Sequence, residues 1–424
     1  MKKMILAAAA VLALAACHKK ADVRPLHPEW TCNAVLYEVN VRQFSPEGTF
    51  AGVQAQLPRL KDLGADILWL MPMYEIGTEG RKGTLGSYYA ISDYCKVNPE
   101  FGTMADFDSL LTAAHREGFK VILDWVANQT APDHIWMRER PADFYERDSL
   151  GNAIYEYDWT DTRSLNYENE AVWAAQDSCM RFWLDKGVDG FRCDAAGEMP
   201  AKFWKAVLPG LRRDYPDAYL LAEAEKPELG DPAEGFDATY AWELHHLMNS
   251  VAQGEKTVQD LKDYIAREAK NYPHHQFRLM FTSNHDENSW NGTEFERLGD
   301  AVKVMAVLCF TLPEGQPLVY TGQEIGMDHR LAFFEKDPVP DWTANGFTAF
   351  YKDLIAMRHA NAALSAGGTG GPLVYIDGMP EGVLAFSRAV EGNKVTVCAN
   401  LTAAEVALPD GRTLPAWGYD IVCE

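Results

Sequence analysis

Apolar residues in this chain fall into short runs, and the stretches between the runs repeat apolar positions with the helical period. The runs predict strands over residues 35–44, 66–72, 120–127, 188–194, 219–223, 238–242, 277–284 and 317–321. Helical patterns occupy 50–63, 104–118, 170–187, 200–215, 258–272 and 299–312, with Gly118 and Gly187 as stop signals. Eight strands alternating with crossover helices predict an α/β protein, a (β/α)8 TIM barrel rather than an open doubly wound sheet. One connection is too long for a simple loop. About forty residues rich in Trp, Tyr, Asp and Asn follow the third strand, and they predict a small subdomain, about 129–169, inserted over the barrel mouth. The glycines around Thr369 mark a boundary. Short strands at 372–376, 382–387, 394–400 and 418–422, with turns at Asp377-Gly378 and Asp410-Gly411, predict a small C-terminal β-sandwich-like domain. The barrel domain then covers 30–364 and the C-terminal domain 365–424.

Composition narrows the setting. The chain has 424 residues, 47% hydrophobic, enough for a barrel-sized core. Its formal net charge of -22 repels nucleic acid and anionic lipid headgroups, so no nucleic-acid partner is expected. Lys2 and Lys3 precede an apolar run over 5–16 that is too short for a membrane span. That run ends in Leu14-Ala15-Ala16-Cys17 and resembles a bacterial lipoprotein signal. It implies a signal peptide over 1–16, a lipid on the Cys17 thiol, a tether over 17–29 and a place in the bacterial cell envelope, anchored to the membrane. An ordinary secretory peptide cleaved after an Ala is the alternative. The other seven cysteines form no CxxC pair and no metal-ligand spacing, and their odd number argues against a full disulfide framework. Cys193 and Cys309 lie in apolar runs and are expected to be buried thiols.

Four predicted strands end in acids: Asp124, Asp194, Glu223 and Asp286. An apolar run that ends in a carboxylate costs folding free energy unless the acid is paired or hydrogen-bonded. Four such runs predict one shared polar site at one end of a parallel sheet. That is the arrangement a glycosidase needs, with a nucleophilic carboxylate beside an acid/base carboxyl.

The residues around these acids resemble the α-amylase superfamily, glycoside hydrolase family 13. The opening strand reads Val-Leu-Tyr-Glu-Val-Asn-Val-Arg-Gln-Phe from Val35, and the second Ile-Leu-Trp-Leu-Met-Pro from Ile67. The loop after it carries Ser87-Tyr88-Tyr89 and, later, Asn98-Pro99-Glu100-Phe101-Gly102-Thr103. The four main motifs follow in order: Asp124 to Gln129, Gly190 to Ala195, Glu223, and Asn284-His285-Asp286. The resemblance spans nearly all of the chain after the signal and implies roles residue by residue.

Asp194 is the expected nucleophile. Arg192, on the same strand face two residues earlier, is expected to hold it ionised. Glu223 is the expected acid/base, its pKa raised by neighbouring charge and partial desolvation, with Glu225 as the alternative. Asp286 is expected to stabilise the oxocarbenium-like transition state. Substrate contacts are expected from His285, with Asn284 beside it, and from Tyr89, whose ring would lie under the reacting sugar; Tyr88 is a one-residue alternative. Asp124 is expected to support the site by pairing with Arg192. Trp125, Trp136, Trp159 and Trp290 are candidate sugar platforms.

Two departures stand out. Gln129 replaces the histidine that usually contacts the sugar, and Gly197 and Glu198 replace a Lys-His pair on the leaving-group side. Both turn the expectation away from standard starch-endoamylase specificity. The chemistry requires no cofactor. Family members often bind Ca2+ through the first-motif asparagine, here Asn128, with carboxylates of the long loop; Asp133, Asp158 and Asp161 are the oxygens within reach. The expected activity is retaining hydrolysis of α-glucosidic, mainly α-1,4, bonds in malto-oligosaccharides or starch fragments. An α-glucan transglycosylase and a non-catalytic glucan-binding lipoprotein are the alternatives.

Overall fold

The computed structural model describes residues 26–231 and 235–424. The expected signal peptide, Cys17 and most of the expected tether lie outside the described residues. Eight parallel strands close into a barrel in sequence order: β1 (Leu36–Val39), β2 (Ile67–Leu70), β3 (Lys120–Val126), β4 (Gly190–Asp194), β5 (Tyr219–Ala222), β6 (Ala238–Tyr240), β7 (Phe277–Met280) and β8 (Gly315–Tyr320). Leu36 pairs with Ile67 on one side and with Leu318 on the other, which completes the ring.

The two-residue period of a strand explains what the barrel holds. One set of positions packs outward against the helices: Tyr37, Leu68, Leu70, Val121, Leu123 and Leu220 belong to that larger core. The other set points inward. Leu36, Ile67, Trp69, Ile122, Tyr219, Leu221, Ala238, Tyr240, Phe277, Leu279 and Leu318 fill the interior. Steps of two along the inward positions toward the C-terminal end pass from apolar to charged: Leu36 to Glu38, Ile122 to Asp124, Gly190 to Arg192 to Asp194, Leu221 to Glu223. The barrel therefore has an apolar floor and an ionic mouth. At Gly190 (φ 148°), a Cβ would stand 1.9 Å from the Tyr219 carbonyl oxygen, so a side chain there would push β4 and β5 apart.

The floor is closed from below by the first described residues. His27 is buried, donates from Nδ1 to Asp237 Oδ1 at 2.8 Å, and lays its ring 4.2 Å from that of Phe277. Asp237 and Phe277 stand at the N-terminal ends of β6 and β7, opposite the mouth.

Several expected boundaries move. The first strand stops at Val39, and Val41–Gln43 forms a 3-10 turn. Arg42 fixes that turn by donating to the carbonyls of Leu85, Gly86 and Phe333. The helix expected over 50–63 breaks into Phe50–Ala55 and Leu57–Leu63, because Pro58 has no N–H to continue the ladder. Trp242 does not end a strand. It opens a helix, Trp242–Ala252, that packs Leu244, Met248 and Val251 inward at helical spacing. The seventh strand stops at Met280 and not at residue 284, so Asp286 lies beyond it, where the chain turns into a π-helix at Glu287–Asn291.

Over the mouth, a hairpin of Tyr74–Ile76 with Ile91–Val97 follows β2, and the segment after β3 holds a second ribbon, Gln129–Thr130 with Arg163–Ser164, and a short helix, Ile135–Glu139. After the helix Gly346–Ala360 comes an antiparallel sheet of Leu373–Tyr375, Val383–Val390, Asn393–Asn400 and Tyr419–Cys423. One face joins the barrel core through Leu384, Phe386, Val395 and Val397. The other is covered by Leu408 and Leu414, beside a ribbon of Val406–Ala407 and Thr413–Leu414. Arg388, 1% exposed, secures the junction by donating to the carbonyls of Thr311, Leu312, Ser365 and Gly371. Among the described residues no helix is long and apolar enough to cross a membrane, and Cys193 and Cys309 are buried free thiols.

Candidate active site

Arg192 is the hub of the mouth. It is fully buried, and its Nη1 donates to Asp124 Oδ1 at 2.8 Å and Asp194 Oδ1 at 3.0 Å. Its Nη2 lies 2.9 Å from Glu223 Oε1, and its Nε donates to the Tyr240 hydroxyl at 3.1 Å. Rings of Trp69 and Tyr240 flank the guanidinium at 5.0 and 5.6 Å. One cation from β4 thus gathers acids from β3, β4 and β5. Asp124 is buried, whereas the side chains of Asp194, Glu223 and Asp286 are 14%, 17% and 37% exposed. Asp124 is a supporting anion beneath the guanidinium, and the other three face the opening.

The chain holds Glu223 from a second direction. Ala195, the residue after Asp194, adopts φ 44°, a left-handed conformation rare outside glycine. Its N–H donates to Glu223 Oε2 at 2.8 Å. Backbone strain at the end of β4 therefore positions the acid at the end of β5.

On the far side, Tyr89 reaches Asp124 Oδ2 with its hydroxyl at 3.1 Å, and the same hydroxyl lies 2.7 Å from His285 Nε2. Trp69 Nε1 also donates to Asp124 Oδ2. The Tyr89 ring stacks on His285 and on Phe333, and Phe333 leads outward to Trp290, which is 52% exposed. Tyr88 is excluded from this role: its hydroxyl donates to Asn40 and its ring lies under Arg42. Glu225 is excluded as well, since it pairs with Arg278 at 2.7 Å and accepts the Glu243 N–H. Trp125 and Trp136 are buried packing residues, not sugar platforms. Gln129 is buried too, and its side chain bonds to none of the central groups.

Burial pushes the Asp194 carboxyl well above its usual range, and Glu223, Asp124 and Asp286 push the same way; Arg192 opposes them. Burial and Glu223 also raise Asp286, against the pull of His285. Arg192 pulls the Asp194 pKa down as expected but does not outweigh burial, because one guanidinium is divided among three acids.

The expected calcium ligands do not converge. Asp133 Oδ2 accepts from the backbone N–H groups of Thr78 and Glu79. Asn128 turns its amide nitrogen to Glu156. Lys82 donates to the Asp158 backbone carbonyl at 2.7 Å and lies 3.6 Å from Asp161 Oδ1, so an ammonium already stands beside the Asp161 carboxylate. The set does not fit an all-oxygen cage. Dialysis against a chelator is expected to leave the thermal midpoint unchanged within about 1 °C; a drop of several degrees would show that a bound metal stabilises the fold. His245, His246 and Glu287 also approach within 4.8 Å of one another. There His245 Nε2 meets Glu287 Oε2 at 3.0 Å and the Asn249 amide nitrogen at 3.1 Å, and Arg297 lies 3.7 Å from Glu287, so the imidazole and the carboxylate already partner each other and a guanidinium stands beside them.

Sequence reasoning missed Glu38. Its Oε1 lies 2.5 Å from His285 Nδ1 and its carboxyl is fully buried. The signal was available, since an acid interrupts the apolar run of β1 in phase with the barrel interior.

A parallel barrel whose mouth gathers carboxyls around one arginine, beside a stacked tyrosine and histidine, is the frame of a carboxylate-dependent glycosidase. The alpha-amylase catalytic-domain family matches residues 31–163 and 154–348, and the chain belongs to that family. It is similar to Alpha-amylase MalA of Haloarcula japonica, 30% identical over 93% of this chain and 59% of that one. Trehalose synthase/amylase TreS of Mycolicibacterium smegmatis is 29% identical over 77% of this chain and 69% of its own length. Among solved structures, an alpha-amylase from Lactobacillus plantarum superposes with a TM-score of 0.82 at 29% identity, covering 93% of this chain and 99% of that one.

Proposed function

We propose that the protein is a retaining glycoside hydrolase that cleaves α-glucosidic bonds, mainly α-1,4, in malto-oligosaccharides or starch fragments. The observation that carries this reading is the single guanidinium that holds Asp194 and Glu223 side by side, both open to the mouth. In the first step a carboxylate oxygen of Asp194 attacks the anomeric carbon while the Glu223 carboxyl gives its proton to the glycosidic oxygen. The C–O bond breaks, the leaving sugar departs with that proton, and the glycosyl unit remains as an ester of Asp194. In the second step Glu223, now a carboxylate, takes a proton from water. The water oxygen attacks the anomeric carbon and Asp194 leaves as a carboxylate. Asp286 faces the charge that develops on the ring in both steps. The Tyr89 ring and, further out, Phe333 and Trp290 offer apolar faces to successive sugars.

The names of the relatives support the substrate class: MalA is an alpha-amylase, and TreS is a trehalose synthase as well as an amylase. The test is a panel of maltose, maltoheptaose, isomaltose, pullulan and starch, with product sizing and proton NMR of the first product. Shorter α-anomers from maltoheptaose are expected. β-Anomers would refute retention. Products longer than the substrate would make the chain a transglycosylase, and binding without any product would make it a glucan-binding protein.

We further propose that Cys17 carries a lipid that ties the protein to the membrane of a bacterial cell envelope. The motif Leu14-Ala15-Ala16-Cys17 supports this reading. The Cys17→Ser variant is expected to lose palmitate labelling and to leave the membrane fraction; equal labelling of both forms would reject the anchor.

A further inference from the structure

We propose that Glu38 is a positioning residue of the active site: a buried counter-ion that keeps His285 doubly protonated, so that loss of that proton lowers activity at alkaline pH. The effect on catalysis rests on the hydrolase reading above; the protonation of His285 does not.

With Glu38 and Asp124 ionised, the hydrogen bonds of the mouth have room for only one arrangement of protons. Glu38 Oε1 meets His285 Nδ1, the Tyr89 oxygen meets His285 Nε2, and the same Tyr89 oxygen meets Asp124 Oδ2. With an imidazolium every contact has one proton. Nδ1–H donates to Glu38, Nε2–H donates to the Tyr89 oxygen, and the Tyr89 O–H donates to Asp124. With a neutral ring one contact loses its proton. If Nδ1 keeps the hydrogen, the Tyr89 hydroxyl must turn to Nε2, and its oxygen then faces the Asp124 carboxylate lone pair to lone pair. If Nε2 keeps it, Nδ1 faces the Glu38 carboxylate without a proton. Either contact is unfavourable between groups as deeply buried as Glu38, Asp124 and His285.

Charge leads to the same conclusion. Glu38, Asp124, Asp194, Glu223 and Asp286 converge here, and Arg192 is already divided among Asp124, Asp194 and Glu223. Glu38 has one partner, and its Oε2 makes no hydrogen bond among the described residues. A fully buried carboxylate in that position is tolerated only beside a cation. The groups that face His285 are Glu38 from β1, the edge of Trp69 from β2, Tyr89 from the loop above, Asp286 with its Oδ2 3.5 Å from Nε2, and, behind Tyr89, Asp124 and Arg192. Only Arg192 disfavours a positive ring. Burial alone would depress the imidazole, but Asp286 and Glu38 more than reverse it and bring its pKa to about 9.

The imidazolium then serves two others. It fixes the Tyr89 hydroxyl toward Asp124, which holds the ring in place for the sugar, and it offsets the charge of Asp286.

The test is Glu38→Gln, which keeps the shape and an acceptor for Nδ1–H but removes the charge. Nitrogen-15 NMR of His285, assigned by its loss in His285→Gln, is expected to show an imidazolium in the native protein well above neutral pH. In the variant the titration is expected at least one pH unit lower. Activity at alkaline pH is expected to fall with it, so the variant loses about twofold or more in kcat/KM at pH 8, more at pH 9, and almost nothing at pH 6. An unchanged His285 titration in the variant would overturn the proposal, as would a neutral ring in the native protein at pH 7. If Glu38→Gln does not fold, Glu38→Asp takes its place. It keeps the charge, so His285 is expected to stay protonated while kcat falls through a displaced Tyr89; a neutral His285 there would also overturn it. Should the native protein show the imidazolium and hydrolyse no glucan, the hydrolase reading fails and the assignment of Glu38 stands.

Discussion

Replacing Asp194 by Asn is expected to lower kcat on maltoheptaose by about four to six orders of magnitude with little change in folding. The side chain is only 14% exposed but bonds through one oxygen, which an amide can mimic, so the Arg192 contact at 3.0 Å has a neutral substitute. The nucleophile has none. Substrate binding is expected to survive, because Tyr89, His285 and the outer aromatic wall are untouched. Isothermal titration with maltoheptaose should therefore give a Kd near the native KM while turnover vanishes. Retained turnover would remove Asp194 from the chemistry. In the native protein the acid limb of the rate profile is expected above the ordinary carboxylate range. The nucleophile must be ionised, burial raises its pKa, and activity is lost as pH falls through that raised value.

The largest effect on stability is expected at Arg192. Arg192→Met keeps much of the volume but leaves Asp124, Asp194 and Glu223 without their common cation, and Asp124 has no exposed surface. Breaking a buried pair by removing one partner costs about 3–5 kcal/mol. The loss depends on pH in a definite sense. Without the arginine the acids have folded-state pKa values above their unfolded ones, so the penalty is absent below the unfolded values and complete above the folded ones. Urea unfolding at pH 8 should show the full difference between variant and native protein, and at pH 4.5 a much smaller one. A difference independent of pH would mean that Arg192 acts by packing against Trp69 and Tyr240 and not by charge.

The barrel was legible because its strands are apolar runs that begin at the floor, where burial on both faces leaves no polar position to disguise them. Their upper ends were not. Val41–Gln43 and Trp242–Ala252 both continue apolar sequence, and what stops the strands is distant: the Arg42 contacts with Leu85, Gly86 and Phe333, and the helical burial of Leu244 and Met248. The acids at Asp194, Glu223 and Asp286 could be read as anomalies at the close of apolar runs. Glu38 is the same anomaly, but Val39 and Val41 follow it, so the run continues past it, and its partner is 247 residues away. Lys82 was hidden for a similar reason: it meets the Asp158 carbonyl only once the loop after β2 folds across the segment after β3.

The burial of His27 against Asp237 and Phe277 places the start of the described chain beneath the floor, at the pole opposite the ionic mouth. The nine peptide links from Cys17 to Leu26 reach at most about 30 Å when fully stretched. A lipid on Cys17, as proposed, would therefore tether the barrel from the pole opposite its catalytic mouth, so the anchor and a long polymer entering the mouth would not compete for the same face.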